Sequence, residues 1–130
     1  MMFELFNPDG VHAPRVAYAH AALVPAGTDL LFISGQVGIT LDGVVAEGFT
    51  QQCRLAYGNL LAVLKSKNLT PEHIFKTQIL LTDVDNRDEM FQIQAELMGD
   101  FRPASTLMVL KGLARPEILF EVEAIAACPQ

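Results

Sequence analysis

The sequence predicts an α+β fold, in which one sheet carries two helices on one of its faces. Three observations point there. Short apolar or alternating runs at Leu30–Ile33, Ile74–Leu81 and Leu119–Ala126 have the length and pattern of strands. Apolar residues recur at three- and four-residue steps from Thr50 to Lys67 and again after Asn86. The resulting order is three strands, helix, strand, helix, two strands, which gives two helices enough length to cover one face of a single sheet.

Asn7-Pro-Asp-Gly10 is a turn signal, and Pro14 keeps the following residues extended. Arg15–Val24 reads as an Ala-rich strand, and Pro25–Asp29 as a turn. Leu30–Ile33 is a buried strand ending at Ser34-Gly35-Gln36, and Asp42-Gly43 marks a tight hairpin turn. The first helix, Thr50–Lys67, faces the core with Leu55, Ala56, Leu60, Val63 and Leu64. Thr70-Pro71-Glu72 opens a short further turn with Pro at its first position. Asp85 or Asn86 caps the second helix, with Asp88 and Glu89 in the first turn, where the helix dipole favours acids. That helix presents Met90, Ile93, Leu97 and Met98 on one face and stops at Gly99. Strands at Ser105–Lys111 and Ile118–Ala127 complete the chain, and residues 1–130 form a single domain.

Counted with glycine and without tyrosine, about 56% of the residues are apolar, against about 45–50% in ordinary domains. A monomer rarely exposes a wide apolar patch, so the excess favours a homo-oligomer. The net charge of −6 and nine scattered basic residues, Arg87, Arg102 and Arg115 among them, argue against nucleic-acid binding. Cys53 and Cys128 are too few for a disulfide framework and match no zinc spacing; Cys53 falls on the helix as a small buried hydrophobe, and Cys128 where strand pairing frays. The acidic start carries no signal-peptide pattern and no apolar stretch reaches membrane-spanning length, so the expected location is the cytoplasm, without membrane contact.

Along the last strand Phe120, Val122, Ala124 and Ala126 share one face, while Glu121 and Glu123 project side by side from the other, about 7 Å apart. Burial of that face and repulsion between the two acids would raise the pKa of Glu121 toward the range useful for proton transfer. Ser34-Gly35 allows close backbone approach. Neither Ser105 nor any other Ser has a recognisable His–acid partner; His12, His20 and His73 fall in unrelated contexts, and His20 shares a strand face with Tyr18. No metal-ligand spacing and no phosphate-binding glycine loop is found, so neither metal nor cofactor is expected.

Tyr18, Ile33-Ser-Gly-Gln36, Gln52, Asn59-Leu60, Lys76, Leu81-Thr-Asp83, Pro103-Ala104 and Glu121-Val-Glu-Ala-Ile-Ala126, in this order, resemble the Rid family, also called YjgF or UK114. The resemblance implies a chorismate-mutase-like α+β fold with a mixed sheet, assembled as a homotrimer with small-molecule ligand clefts between subunits. It also implies imine or enamine hydrolysis without cofactor, in which Glu121 orients the attacking water while Tyr18, Ser34 and Gly35 shape the cleft. Deaminating members carry Pro-Ala-Arg, whose guanidinium holds the substrate carboxylate as a planar fork. Here Ser105 takes that Arg position, Phe91 stands for a usual Asn and Leu107 for a common Cys. The expectation is therefore C–N bond hydrolysis on something other than the standard 2-imino acid, with Ser105 meeting a less acidic group. The alternative is a non-catalytic ligand-binding or interaction module on the same trimer. Arg102 and Arg115 are the candidate replacement clamps, reaching the cleft from a neighbouring subunit.

Overall fold

The computed structural model describes residues 2–130. Its elements are β1 (Glu4–Phe6), β2 (Ala21–Leu23), β3 (Asp29–Val37), α1 (Phe49–Lys65), β4 (Ile74–Leu81), α2 (Arg87–Met98), β5 (Ala104–Val109) and β6 (Phe120–Cys128). The main sheet is four-stranded in the order β3-β6-β4-β5; β6 runs antiparallel to both neighbours, and β5 runs parallel to β4. The parallel step is made by α2, which crosses over between β4 and β5. β1 and β2 form a separate antiparallel ribbon.

Ile79, Leu81, Phe120, Val122, Ala124 and Ala126 form the buried face of the sheet. Against it α1 packs Phe49, Cys53, Ala56, Tyr57, Leu60 and Leu64, and α2 packs Met90, Ile93 and Met98. The other face carries no helix. Phe32 lies there 70% exposed, with Lys76, Gln78, Glu121, Glu123 and Ile125 on the adjoining strands.

Two polar side chains on α1, buried Gln52 and half-buried Asn59, hold the chain around the end of β3 and the start of β6. Gln52, 2% exposed, donates Nε2–H to the carbonyls of Ala46 and Glu117 at 3.0 and 2.8 Å, and its Oε1 accepts from the Leu119 amide at 2.8 Å. Two turns further on, Asn59 donates to the carbonyls of Val37 and Ile39, both at 3.1 Å. These bonds satisfy backbone groups that leave the sheet ladder at its half-buried margin.

Several boundaries differ from the sequence expectation. Arg15–Val24 is not one strand: pairing is confined to Ala21–Leu23 and an isolated bridge from Ala19 to Ala104, so Tyr18 lies outside any strand. The extra first strand, Glu4–Phe6, is too short for periodicity to reveal. The Asp42-Gly43 turn exists, with Gly43 at φ 86° and the Thr40 amide donating to Val44 O, but its arms share only the Ile39–Val45 bridge. Neither Asp85 nor Asn86 caps α2 through its side chain; Asp83 caps the short turn before it by accepting from the Asp85 amide at 2.9 Å. Strand pairing persists to Cys128, opposite Asp29, and does not fray there.

Candidate functional site

The residues expected to carry chemistry fall into two groups on opposite faces of the main sheet. The first group forms at a β-bulge. Between the pairs Ile33–Ala124 and Gln36–Val122, the two residues Ser34 and Gly35 oppose the single residue Glu123. The extra residue opens β3 toward the helix-free face, and the Glu121 carboxylate folds into the opening: a Cβ on Gly35 would overlap Glu121 Oε2. Desolvation by this seat, and then the charge of Glu123, raise the Glu121 pKa above the ordinary carboxyl value of 4.5. Glu123 lies opposite Gln78 and lines a shallow cavity of about 390 Å³ with Phe32, Ser34, Lys76 and Ile125.

The second group sits at the outer edge of the sheet, on the helix side. Thr77, 1% exposed, pairs with Ser105 across the parallel ladder and donates Oγ1–H to Ser105 Oγ at 2.7 Å. That bond directs Ser105 to the face opposite Glu121, whose ladder partner on β4 is Leu80. Ser105 opens onto a second cavity of about 390 Å³, bounded by Val16, Tyr18, Arg87, Phe91, Thr106 and Leu107. Tyr18 and Phe91 thus join Ser105 there, while Ser34, Gly35 and Glu121 belong to the bulge. The Tyr18 hydroxyl lies 3.4 Å from His12 Nε2, and His20 stacks edge-on against both rings. His20 therefore neighbours the Tyr18 end of this cavity through ring packing and not through a shared strand.

The two arginines considered as replacement clamps are engaged within the chain. Arg102 pairs with Asp100 at 2.9 Å and Arg115 with Glu117 at 3.1 Å, both at the surface, and neither lines the Ser105 cavity. The arginine that does line it is Arg87, at the start of α2. Its sequence signal was its place four residues before Phe91, which puts both on one side of a helix. Among the described residues no cluster of three or more His, Cys, Asp or Glu could hold a metal ion, and no helix is long and apolar enough to cross a membrane.

The family model described as Endoribonuclease L-PSP matches residues 11–128. The chain belongs to the Rid family. It is 33% identical to the RutC family protein YjgH of Escherichia coli over 125 residues, covering 95% of this chain and 93% of that protein. It is 28% identical to Protein HMF1 of Saccharomyces cerevisiae, over 88% of this chain and 87% of that one. Among solved structures it resembles a protein of unknown function of the conserved Rid family, YyfB from Yersinia pestis, with a TM-score of 0.86 and 27% identity, covering 98% of this chain and 100% of that one. Rid membership accounts for the α+β architecture.

Proposed function

We propose that this Rid protein hydrolyses an enamine, imine or related C–N bond of a small metabolite in clefts between the subunits of a homotrimer. The observation that carries the reading is the Glu121 carboxylate, seated in the bulge at Gly35 with a raised pKa on a sheet face that no helix covers. A carboxylate there can take a proton from water as the water oxygen attacks the imine carbon. The proton then passes to the departing nitrogen, which leaves as ammonia, and the carbonyl product remains. Because Glu121 and Ser105 lie on opposite faces of one sheet, a single ligand meets both kinds of surface only where a second copy presents its edge cavity to the bulge of the first. The exposed Phe32 supplies apolar contact for such an assembly. The net charge of −6 weighs against an RNA substrate.

A non-catalytic ligand-binding module is the second reading. It is favoured by Ser105, which is neutral and tied to the buried Thr77 where deaminating relatives place a charge.

The test is the decay of 2-iminobutyrate, generated in place from threonine by a dehydratase. Acceleration by the native protein that is lost in Glu121→Gln supports hydrolysis. A native protein that is inert, beside an active Ser105→Arg variant, means a working cleft tuned to another ligand. If both are inert, the binding-module reading stands instead.

A further inference from the structure

We infer that Arg87 is the specificity-determining residue of the edge cavity and makes it a receptor for the carboxylate of a small acid. This rests on the reading of that cavity as one wall of the ligand cleft. In a chain of net charge −6, Arg87 is the one charged side chain lining the cavity among the described residues. Among the described residues its only ionic neighbour is Asp88, the next residue, at 3.7 Å through Nε alone and itself largely exposed, so the two terminal nitrogens keep their donors for a ligand. A planar fork of this kind matches a carboxylate. One cation without a second neutralises a single negative charge, which favours a carboxylate over a phosphate dianion.

The rest of the lining completes the receptor. Thr77 donates to Ser105 Oγ, so the Ser105 hydroxyl proton is left to turn toward the cavity. Tyr18 adds a further hydroxyl at its wall, while Phe91, Ile79 and Leu107 give it an apolar floor. Phe91 and Arg87 stand one helical turn apart on α2, so the acid group meets the helix and the body of the ligand lies along the ring. The anion site has moved from the strand position, now Ser105, to the facing helix.

Protein-observed NMR titration with 2-oxobutyrate and with its primary amide tests this, using the native protein, Arg87→Ala, Arg87→Lys and Asp88→Ala. The acid is expected to shift the amide signals of Ser105, Thr106 and Leu107, and its affinity to fall about tenfold or more in Arg87→Ala, as for loss of hydrogen bonds to a charged group. Arg87→Lys is expected to keep part of that affinity and Asp88→Ala all of it; the neutral amide is expected to bind native and Arg87→Ala alike. Equal acid affinity in native and Arg87→Ala, or no shifts at these residues in the native protein, overturns the proposal. Binding is read apart from turnover. Arg87-dependent acid binding by a protein that hydrolyses nothing leaves the receptor standing and removes the hydrolase. Glu121-dependent hydrolysis without Arg87-dependent binding does the reverse.

Discussion

The carboxylate of Glu121 occupies the space that a side chain on Gly35 would need. The clash that Gly35→Ala creates is with the far end of a flexible side chain, which can swing away at little cost. Gly35→Ala is therefore expected to fold with less than about 1 kcal/mol lost, yet to lose hydrolysis about as fully as Glu121→Gln does. At Gly38 a Cβ would instead meet the backbone of Gln52, with its carbonyl oxygen at 2.7 Å, and backbone cannot step aside. Gly38→Ala is expected to destabilise by about 2–3 kcal/mol. Denaturant unfolding of both variants, beside their imine-decay rates, checks the contrast.

The raised pKa of Glu121 fixes the sign of two pH effects. Unfolded, the group ionises near 4.5; folded, burial and then Glu123 hold its proton to higher pH. Its favourable contribution to stability is complete below 4.5 and is lost as pH rises through the folded value, because the native state binds more protons in between. The stability of Glu121→Gln relative to native is thus expected to rise with pH across that window. If Glu121 acts as the base, activity rises as it ionises, and Glu123→Gln moves that acidic limb to lower pH without abolishing the shift, since burial is the larger cause. A limb unmoved in Glu123→Gln, or moved upward, contradicts the coupling.

Gln52 holds three backbone groups that, among the described residues, no other side chain reaches: the carbonyls of Ala46 and Glu117 and the amide of Leu119. Gln52→Ala removes all three partners at once, at half-buried Ala46 and Leu119 and at the more exposed Glu117. The expected cost is about 1–3 kcal/mol in urea unfolding, as for a buried polar side chain whose partners can partly turn to water.

Phe32 projects from the helix-free face and is 70% exposed in the single chain. If that face is a subunit contact, Phe32→Glu buries an unpaired charge on assembly and is expected to shift the trimer to monomer at micromolar concentration. Sedimentation equilibrium of native and variant reads this directly. A native protein that sediments as a monomer removes the inter-subunit cleft.

The elements that bury a whole periodic face were legible in the residues themselves. β4 was bounded correctly at Ile74–Leu81, because an apolar run flanked by Pro71 and Asp83 leaves little freedom. Met90 and Met98 took the core positions that their spacing indicated. The misreadings concern segments held by tertiary partners. Residues 15–18 have strand-like composition but no strand beside them, and β1 exists only because β2 lies opposite. At the site, side-by-side projection of Glu121 and Glu123 followed from period two, and a raised pKa followed from that. That Glu121 itself fills the space left by Gly35 did not, since it depends on a bulge in another strand. Arg87 was hidden for the same reason: only the crossover of α2 over β5 brings a helix start to the side of Ser105.

The strand order β3-β6-β4-β5 places the last strand of the sequence in the middle of the sheet. β3 and β4 never touch one another through a ladder; each pairs with β6. During synthesis, the nascent chain therefore carries both strands with an open edge until residues 120–128 leave the ribosome, and the main sheet closes in one late step. Until then the exposed edges of β3 and β4 invite pairing with other chains. The window of risk for aggregation is accordingly set by the time from the emergence of β4 to the emergence of β6 from the ribosome, and a ribosome stalled between them holds a protein that cannot yet complete its sheet.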